Sequence, residues 1–305
     1  MHPEIENYLS HLYPLLAQRG IEILWHKEIA YGIQLKLSRD IDSANLNIYY
    51  GKKGLSTLVG GSKDSALKQE IGRLVGNIHS EPASPALHHW HYWIGSDECG
   101  KGDYFGPLVL SAFYLKQEQV PELRQLGTVD SKRLNDTKLK TIAESIYRSF
   151  PGQCQALIIS PRRYNELISD FKRQNLNLND LLAWAHSKVI SELIAKSQPL
   201  EGVIIDQFSK AQKARARLIA KYPRLNIIER TAAERDPAVA AASILARYQF
   251  LIAKKNMEKS FGFNFPLGAG ANVKKAAQTF VTEQGMNKLG EVAKLHFKTT
   301  LALRS

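Results

Sequence analysis

A short apolar run ending at Ile94 leads into Ser96-Asp97-Glu98 and then into Gly100-Lys101-Gly102. Neighbouring acids on a regular strand point to opposite faces. For Asp97 and Glu98 to serve one site the chain is therefore expected to bend there, with Gly95, Gly100 and Gly102 supplying the freedom. A buried acid is costly unless neutralised, and a divalent cation is the natural partner of clustered carboxylates. Asp206 ends a second apolar, β-branched run, Val203-Ile204-Ile205, and ligand groups in α/β sheets gather at strand ends. A third acidic group, Glu234-Arg235-Asp236, lies between a strand-like segment and an alanine-rich one. Asp236 before Pro237 has the form of a helix N-cap, whereas Glu234 has no comparable structural duty. Acids at three such places point to metal-dependent phosphodiester chemistry.

The elements that must hold these acids fall into two texturally different parts. The first 86 residues carry nine basic and nine acidic side chains, so the formal charge of +12 belongs wholly to the remainder of the 305 residues. A basic second part suits a polyanion, most commonly nucleic acid. Only Cys99 and Cys154 are present, which argues against a disulfide framework and for a reducing cytoplasm. No segment approaches the ~20 apolar residues of a membrane span, and the N-terminus lacks the layout of a signal peptide. The small, polar, proline-containing stretch Gly76 to Ala86 reads as a linker. The boundaries expected are 1–77 for a first domain, 78–88 for the linker and 89–305 for a second domain.

In the first domain, Ile5, Tyr8, Leu9, Leu12, Leu15 and Leu16 recur at helical spacing. Ile33, Leu35, Leu37 and then Leu46, Ile48, Tyr50 alternate as half-buried strands. The prediction is a small curved antiparallel sheet with helices on one face. Its other face presents Gln34, Lys36, Asn45, Asn47 and Tyr49, groups able to contact a nucleic-acid groove. From Trp90 onward strands alternate with helices, which predicts an α/β mixed sheet flanked by helices.

Taken together, GSDECGKGDYFGPL (95–108), VDSKRL (129–134), IDQF (205–208), AVAAASILARY (238–248), LGAGANV (267–273) and LHFKTT (295–300) resemble the type 2 ribonucleases H. Lysine in the middle of the glycine turn, and the extra first domain, make the chain similar to the ribonuclease HIII branch. The resemblance implies a ribonuclease H-like catalytic domain preceded by a small α+β, TATA-binding-protein-like, substrate-binding domain. It implies an endonuclease that cuts the RNA strand of RNA–DNA hybrids by a two-metal mechanism with Mg²⁺ or Mn²⁺, giving 3′-hydroxyl and 5′-phosphate ends. Asp97, Glu98 and Asp206 match the metal-binding carboxylates. The fourth catalytic acid matches Glu234, with Asp236 as its rival. Gly100, Lys101 and Gly102 fall to recognition of the 2′-hydroxyl and a phosphate, Ser131 and Lys132 to phosphate, and Lys36 and Asn47 to substrate contact from the first domain. A monomeric cytoplasmic enzyme with no obligate protein partner is expected. The alternatives are a ribonuclease HII-like enzyme excising single ribonucleotides from DNA, and a hybrid-binding protein without catalysis.

Overall fold

A computed structural model describes residues 2–51, 54–61, 65–78, 87–128 and 134–303. The chain divides into two units, Met1–Leu87 and His88–Ser305.

In the first unit, helix α1 (Pro3–Ala17) begins with proline in its first turn and buries Ile5, Tyr8, Leu9, Leu12 and Leu16. That is one face at i, i+3/i+4 spacing. Strands β1 (Glu22–Ile29), β2 (Gly32–Arg39), β3 (Asp42–Gly51) and β4 (Gly54–Gly60) form a four-stranded antiparallel sheet in that order. Helix α2 (Ala66–Ile78) joins α1 against its apolar face, where Ile33, Leu35, Leu37, Ala44, Leu46 and Ile48 are buried. The sequence reading missed β1. This edge strand is exposed along most of its length, so it lacks the period-two burial that betrays a strand. On the sheet's other face Gln34 pairs with Asn47, Lys36 with Asn45, and Trp25 with Lys36.

The second unit is built on a five-stranded mixed sheet, order β7-β6-β5-β8-β9. Strand β5 (Tyr92–Cys99) pairs antiparallel with β6 (Leu108–Lys116) and parallel with β8 (Gly202–Asp206); β7 (Cys154–Ile159) and β9 (Asn226–Arg230) complete the edges. Between β6 and β7 lie α3 (Val120–Gln125) and α4 (Asp136–Ser149). Helices α5 (Pro161–Arg173), α6 (Leu178–Ile194) and α7 (Lys213–Lys221) pack with Ile94, Leu110, Val203 and Ile205 in one core. The opposite face receives α8 (Pro237–Phe261), whose first half is buried from Ala238 to Ala242 and again at Ile244, Leu245 and Ala246. Short helices α9 (Ala271–Gln284), α10 (Leu289–Val292) and α11 (Lys298–Leu301) close a separate aromatic cluster around Phe265 and Phe280.

The bend expected at Asp97-Glu98 is absent. Strand β5 stays regular through Cys99, each residue paired with β6 up to Cys99↔Val109. Gly95 serves a different purpose. A Cβ there would lie 2.2 Å from the Val239 amide nitrogen and 2.3 Å from the Ala238 carbonyl carbon. The missing side chain, with the alanines of α8, lets helix and strand approach backbone to backbone. Gly95→Ala is expected to force them apart at a cost of about 1–3 kcal/mol or more. A thermal melt showing wild-type stability would contradict this close contact.

Candidate active site

The parallel β5–β8 register brings the acids together. The parallel register runs to Ser96↔Ile205, so Asp97 and Asp206 come next, side by side at the carboxyl edge of the sheet. Both lie on the α8 face, in phase with Gly95. Ser243 of α8 hydrogen-bonds the Asp97 carboxylate, and Asp97 Oδ1 accepts from the Glu98 amide at 2.7 Å. Asp206 Oδ1 accepts from the Ala233 amide at 3.0 Å. Burial, then repulsion from Glu98 and also from Asp206, pushes the Asp97 carboxyl up to about 8. Clustered, buried carboxylates of this kind are the setting in which a divalent cation is the natural counter-charge.

Glu98 alternates to the α6 face. Its Oε2 lies 3.2 Å from His186 Nε2 and its Oε1 3.7 Å from Lys101 Nζ. Burial opposes its ionisation, but His186 and Lys101 outweigh burial and hold its carboxyl below the usual range. Neither His186 nor Ser243 emerged from the sequence. The available signal was weak: His186 follows the apolar run Leu181 to Ala185 and stands on the buried side of α6 with Leu182, Val189 and Ile190.

Glu234 stands in a 3-10 turn (Ala233–Arg235) beside the alanine whose amide holds Asp206. It is half-buried and has no hydrogen bond or ion pair among the described residues. Asp236 is fully occupied by the fold. Oδ1 accepts from the Ala238 and Val239 amides and from Trp93 Nε1 at 3.0 Å, while Oδ2 meets His88 Nε2 at 3.1 Å. Asp236→Ala is expected to cost about 2–4 kcal/mol, from the lost cap and the stranded buried partners. At about 2–4 °C per kcal/mol for a unit of this size, melting should fall clearly, and an unchanged melting temperature would refute the structural role.

The chain turns only after Cys99. Gly100 has φ +91°, and a Cβ there would be 2.3 Å from the Pro107 carbonyl oxygen and 2.9 Å from the Phe250 ring. Gly102 is exposed, and nothing in the protein lies within 4 Å of where its Cβ would be. Lys101 Nζ turns back to Glu98 and to the Phe208 carbonyl oxygen, at 3.3 Å. The loop beyond is clamped from the C-terminal segment: the fully buried Lys294 donates to the carbonyls of Asp103 (2.8 Å) and Gly106 (2.7 Å). Burial brings its ammonium down to about 7. Tyr104 Oη lies 3.0 Å from Thr300 Oγ1. Ser131 and Lys132 lie outside the described residues. Lys36 and Asn47 share the open face of the first unit, where Gln34 donates to Asn47 Oδ1 at 2.7 Å and Asn47 donates to Tyr49 Oη at 3.1 Å.

Among the described residues, no three His, Cys, Asp or Glu side chains already enclose an ion by themselves. The donors present nevertheless suit Mg²⁺ or Mn²⁺. They are hard oxygens, mutually repelling, on neighbouring strand ends, and Mg²⁺ keeps several waters and takes only a few carboxylates plus substrate phosphate. No helix among the described residues is long and apolar enough to cross a membrane.

The family model for ribonuclease HII matches residues 94–300, and with the ribonuclease H-like sheet and its carboxylate edge the chain belongs to this family of type 2 ribonucleases H. Within the family it is similar to ribonucleases HIII. The Chlamydia caviae enzyme is 38% identical over 208 residues, 68% of this chain and 67% of that one. The Bacillus cereus enzyme is 39% identical over 213 residues, 68% of this chain and 66% of that one. Among solved structures, Bst-RNase HIII in complex with Mn²⁺ superposes with a TM-score of 0.66 at 29% identity, covering 97% of this chain and 95% of that one. Aquifex aeolicus RNase H3 gives 0.55 at 25% identity, covering 98% of both chains. The chain is thus a ribonuclease H.

Proposed function

We propose that this enzyme cuts the RNA strand of RNA–DNA hybrids internally, leaving 3′-hydroxyl and 5′-phosphate ends. In this reading Asp97, Glu98, Asp206 and Glu234 hold the divalent ions. The observation that carries it is the lateral juxtaposition of Asp97 and Asp206, with the Asp97 carboxyl pushed up to about 8 by burial and acidic neighbours. When bound, Mg²⁺ or Mn²⁺, two ions during catalysis, supplies Lewis-acid stabilisation of charge on the phosphate and makes water a competent nucleophile. The residues of the chain orient this set: Ser243 holds Asp97, the Ala233 amide holds Asp206, and the Glu234 carboxylate remains available.

Recognition of RNA requires contact with the 2′-hydroxyl. The open space over Gly102 and the forced left-handed turn at Gly100 support a backbone approach there. Lys101 would exchange its long contact with Glu98 for a substrate phosphate. The open sheet face of the first unit, with Trp25, Lys36, Asn47 and Tyr49, is read as a substrate-binding platform, consistent with a TATA-binding-protein-like domain. In this reading the enzyme acts in the cytoplasm as a monomer.

The test is cleavage of end-labelled substrates. A hybrid should be cut in Mg²⁺ or Mn²⁺ and spared in EDTA, and a run of four ribonucleotides in duplex DNA should be cut much faster than a single one. Preference for the single ribonucleotide would move the chain to the ribonuclease HII type, and binding without cleavage would make it a silent binder.

A further inference from the structure

We propose that His186 is a positioning residue for Glu98: it fixes one carboxylate oxygen so that the other is presented to a divalent cation. The inference rests on the metal-dependent reading above and extends it to a residue on a different helix.

The hydrogen positions follow from the partners. Ser96 Oγ gives its one hydrogen to the Ser111 carbonyl oxygen at 2.8 Å. At 2.9 Å from His186 Nδ1 the same hydroxyl can therefore only accept, and Nδ1 carries a hydrogen. This fixes one edge of the ring. The opposite edge, Nε2, lies 3.2 Å from Glu98 Oε2, and because an ionised carboxylate oxygen only accepts, Nε2 is the donor there and both ring nitrogens carry a hydrogen. The ring plane is held as well, because Phe208 stacks on it at 5.3 Å between centroids and 3° between planes. His186 is 0% exposed, so the ring is confined on three sides.

Glu98 needs such a partner more than the other acids do. Asp97 and Asp206 share the α8 face at the sheet edge, whereas Glu98 alternates to the α6 face and must lean over the edge to join them. Its two oxygens meet unlike groups. Oε2 is bound to the buried His186. Oε1 faces Lys101 at 3.7 Å, and the Lys101 side chain is 35% exposed. The Lys101 contact is the exchangeable one, and the His186 contact persists. Hydrogen-bonded partners of ligating carboxylates characteristically matter at the level of about 10–100-fold in metal affinity or activity.

The experiment is Mn²⁺ binding to the intact chain without substrate, followed by calorimetry, with melting curves recorded alongside. His186→Asn leaves an amide at the Nδ1 position but none at Nε2, and should weaken Mn²⁺ binding about 10–100-fold. His186→Gln reaches the Nε2 position and should retain Mn²⁺ affinity within a few-fold. In a Glu98→Gln background, adding His186→Asn should change little further, because the two act as one unit. Hybrid binding in EDTA should be unaltered by either His186 variant.

The proposal is overturned if His186→Asn keeps wild-type Mn²⁺ affinity, or if the Asn and Gln variants lose affinity equally and in step with melting temperature. Should the Asn variant not fold, the Gln variant decides alone: retained affinity supports the proposal and lost affinity overturns it. Absence of Mn²⁺ binding to the wild-type chain would instead overturn the metal-dependent reading, and this proposal with it.

Discussion

Asp97→Asn is expected to abolish hybrid cleavage and, in the same protein, to raise the melting temperature of the metal-free enzyme at pH 8. The loss of activity should reach at least about 10³-fold, the scale on which groups acting in the transition state register. The gain in stability follows from the Asp97 carboxyl being pushed up to about 8 by burial and by its acidic neighbours. In the unfolded chain the same carboxyl titrates near about 3.9. Between these pH values the folded protein retains a proton that the unfolded chain has released, so stability falls as pH rises through that window. Asparagine carries no charge to be penalised. The stabilisation should therefore be small near pH 4, grow through the window and be greatest at pH 8 in EDTA. A variant less stable than wild type at pH 8 would show that the Asp97 site does not oppose its own ionisation.

Glu234→Gln should lower cleavage about 10²–10³-fold and leave the melting temperature within a degree or so of wild type. The half-buried Glu234 carboxylate has no partner among the described residues, so little of the fold depends on its charge. Its neighbour Ala233 holds Asp206, which puts Glu234 beside the carboxylate edge. Asp236, two residues on, joins two amides, an indole and an imidazole, so its loss should register in stability first. Kinetics at saturating Mg²⁺ with parallel melts separate the two acids. Large activity loss without destabilisation for Asp236→Asn, with an active Glu234→Gln, would reverse their roles.

Much of this site can be read from the chain because strand ends announce themselves. Ile94 before Asp97-Glu98, and Val203-Ile204-Ile205 before Asp206, are apolar runs that stop at an acid, and parallel pairing aligns those stops. Asp236-Pro237 likewise has the form of a cap and is one. What the sequence did not disclose depends on partners distant along the chain. Gly95 looked like a hinge and is instead a contact surface for Ala238 and Val239, a role set by a helix some 140 residues later. His186 is buried on the inner face of α6, and only the fold reveals that Ser96 and Glu98 meet its two nitrogens. Strand β1 escaped detection because an exposed edge strand needs no apolar alternation.

The most direct test of the account is anomalous diffraction from crystals of the intact chain grown with Mn²⁺ and an RNA–DNA hybrid, using Asp206→Asn to arrest cleavage. Two manganese peaks are expected at the sheet edge, touching Asp97 and a phosphate of the RNA strand, with Glu98 and Glu234 completing their shells. A hybrid lying across this edge with no manganese at Asp97, or with manganese gathered elsewhere, would contradict it.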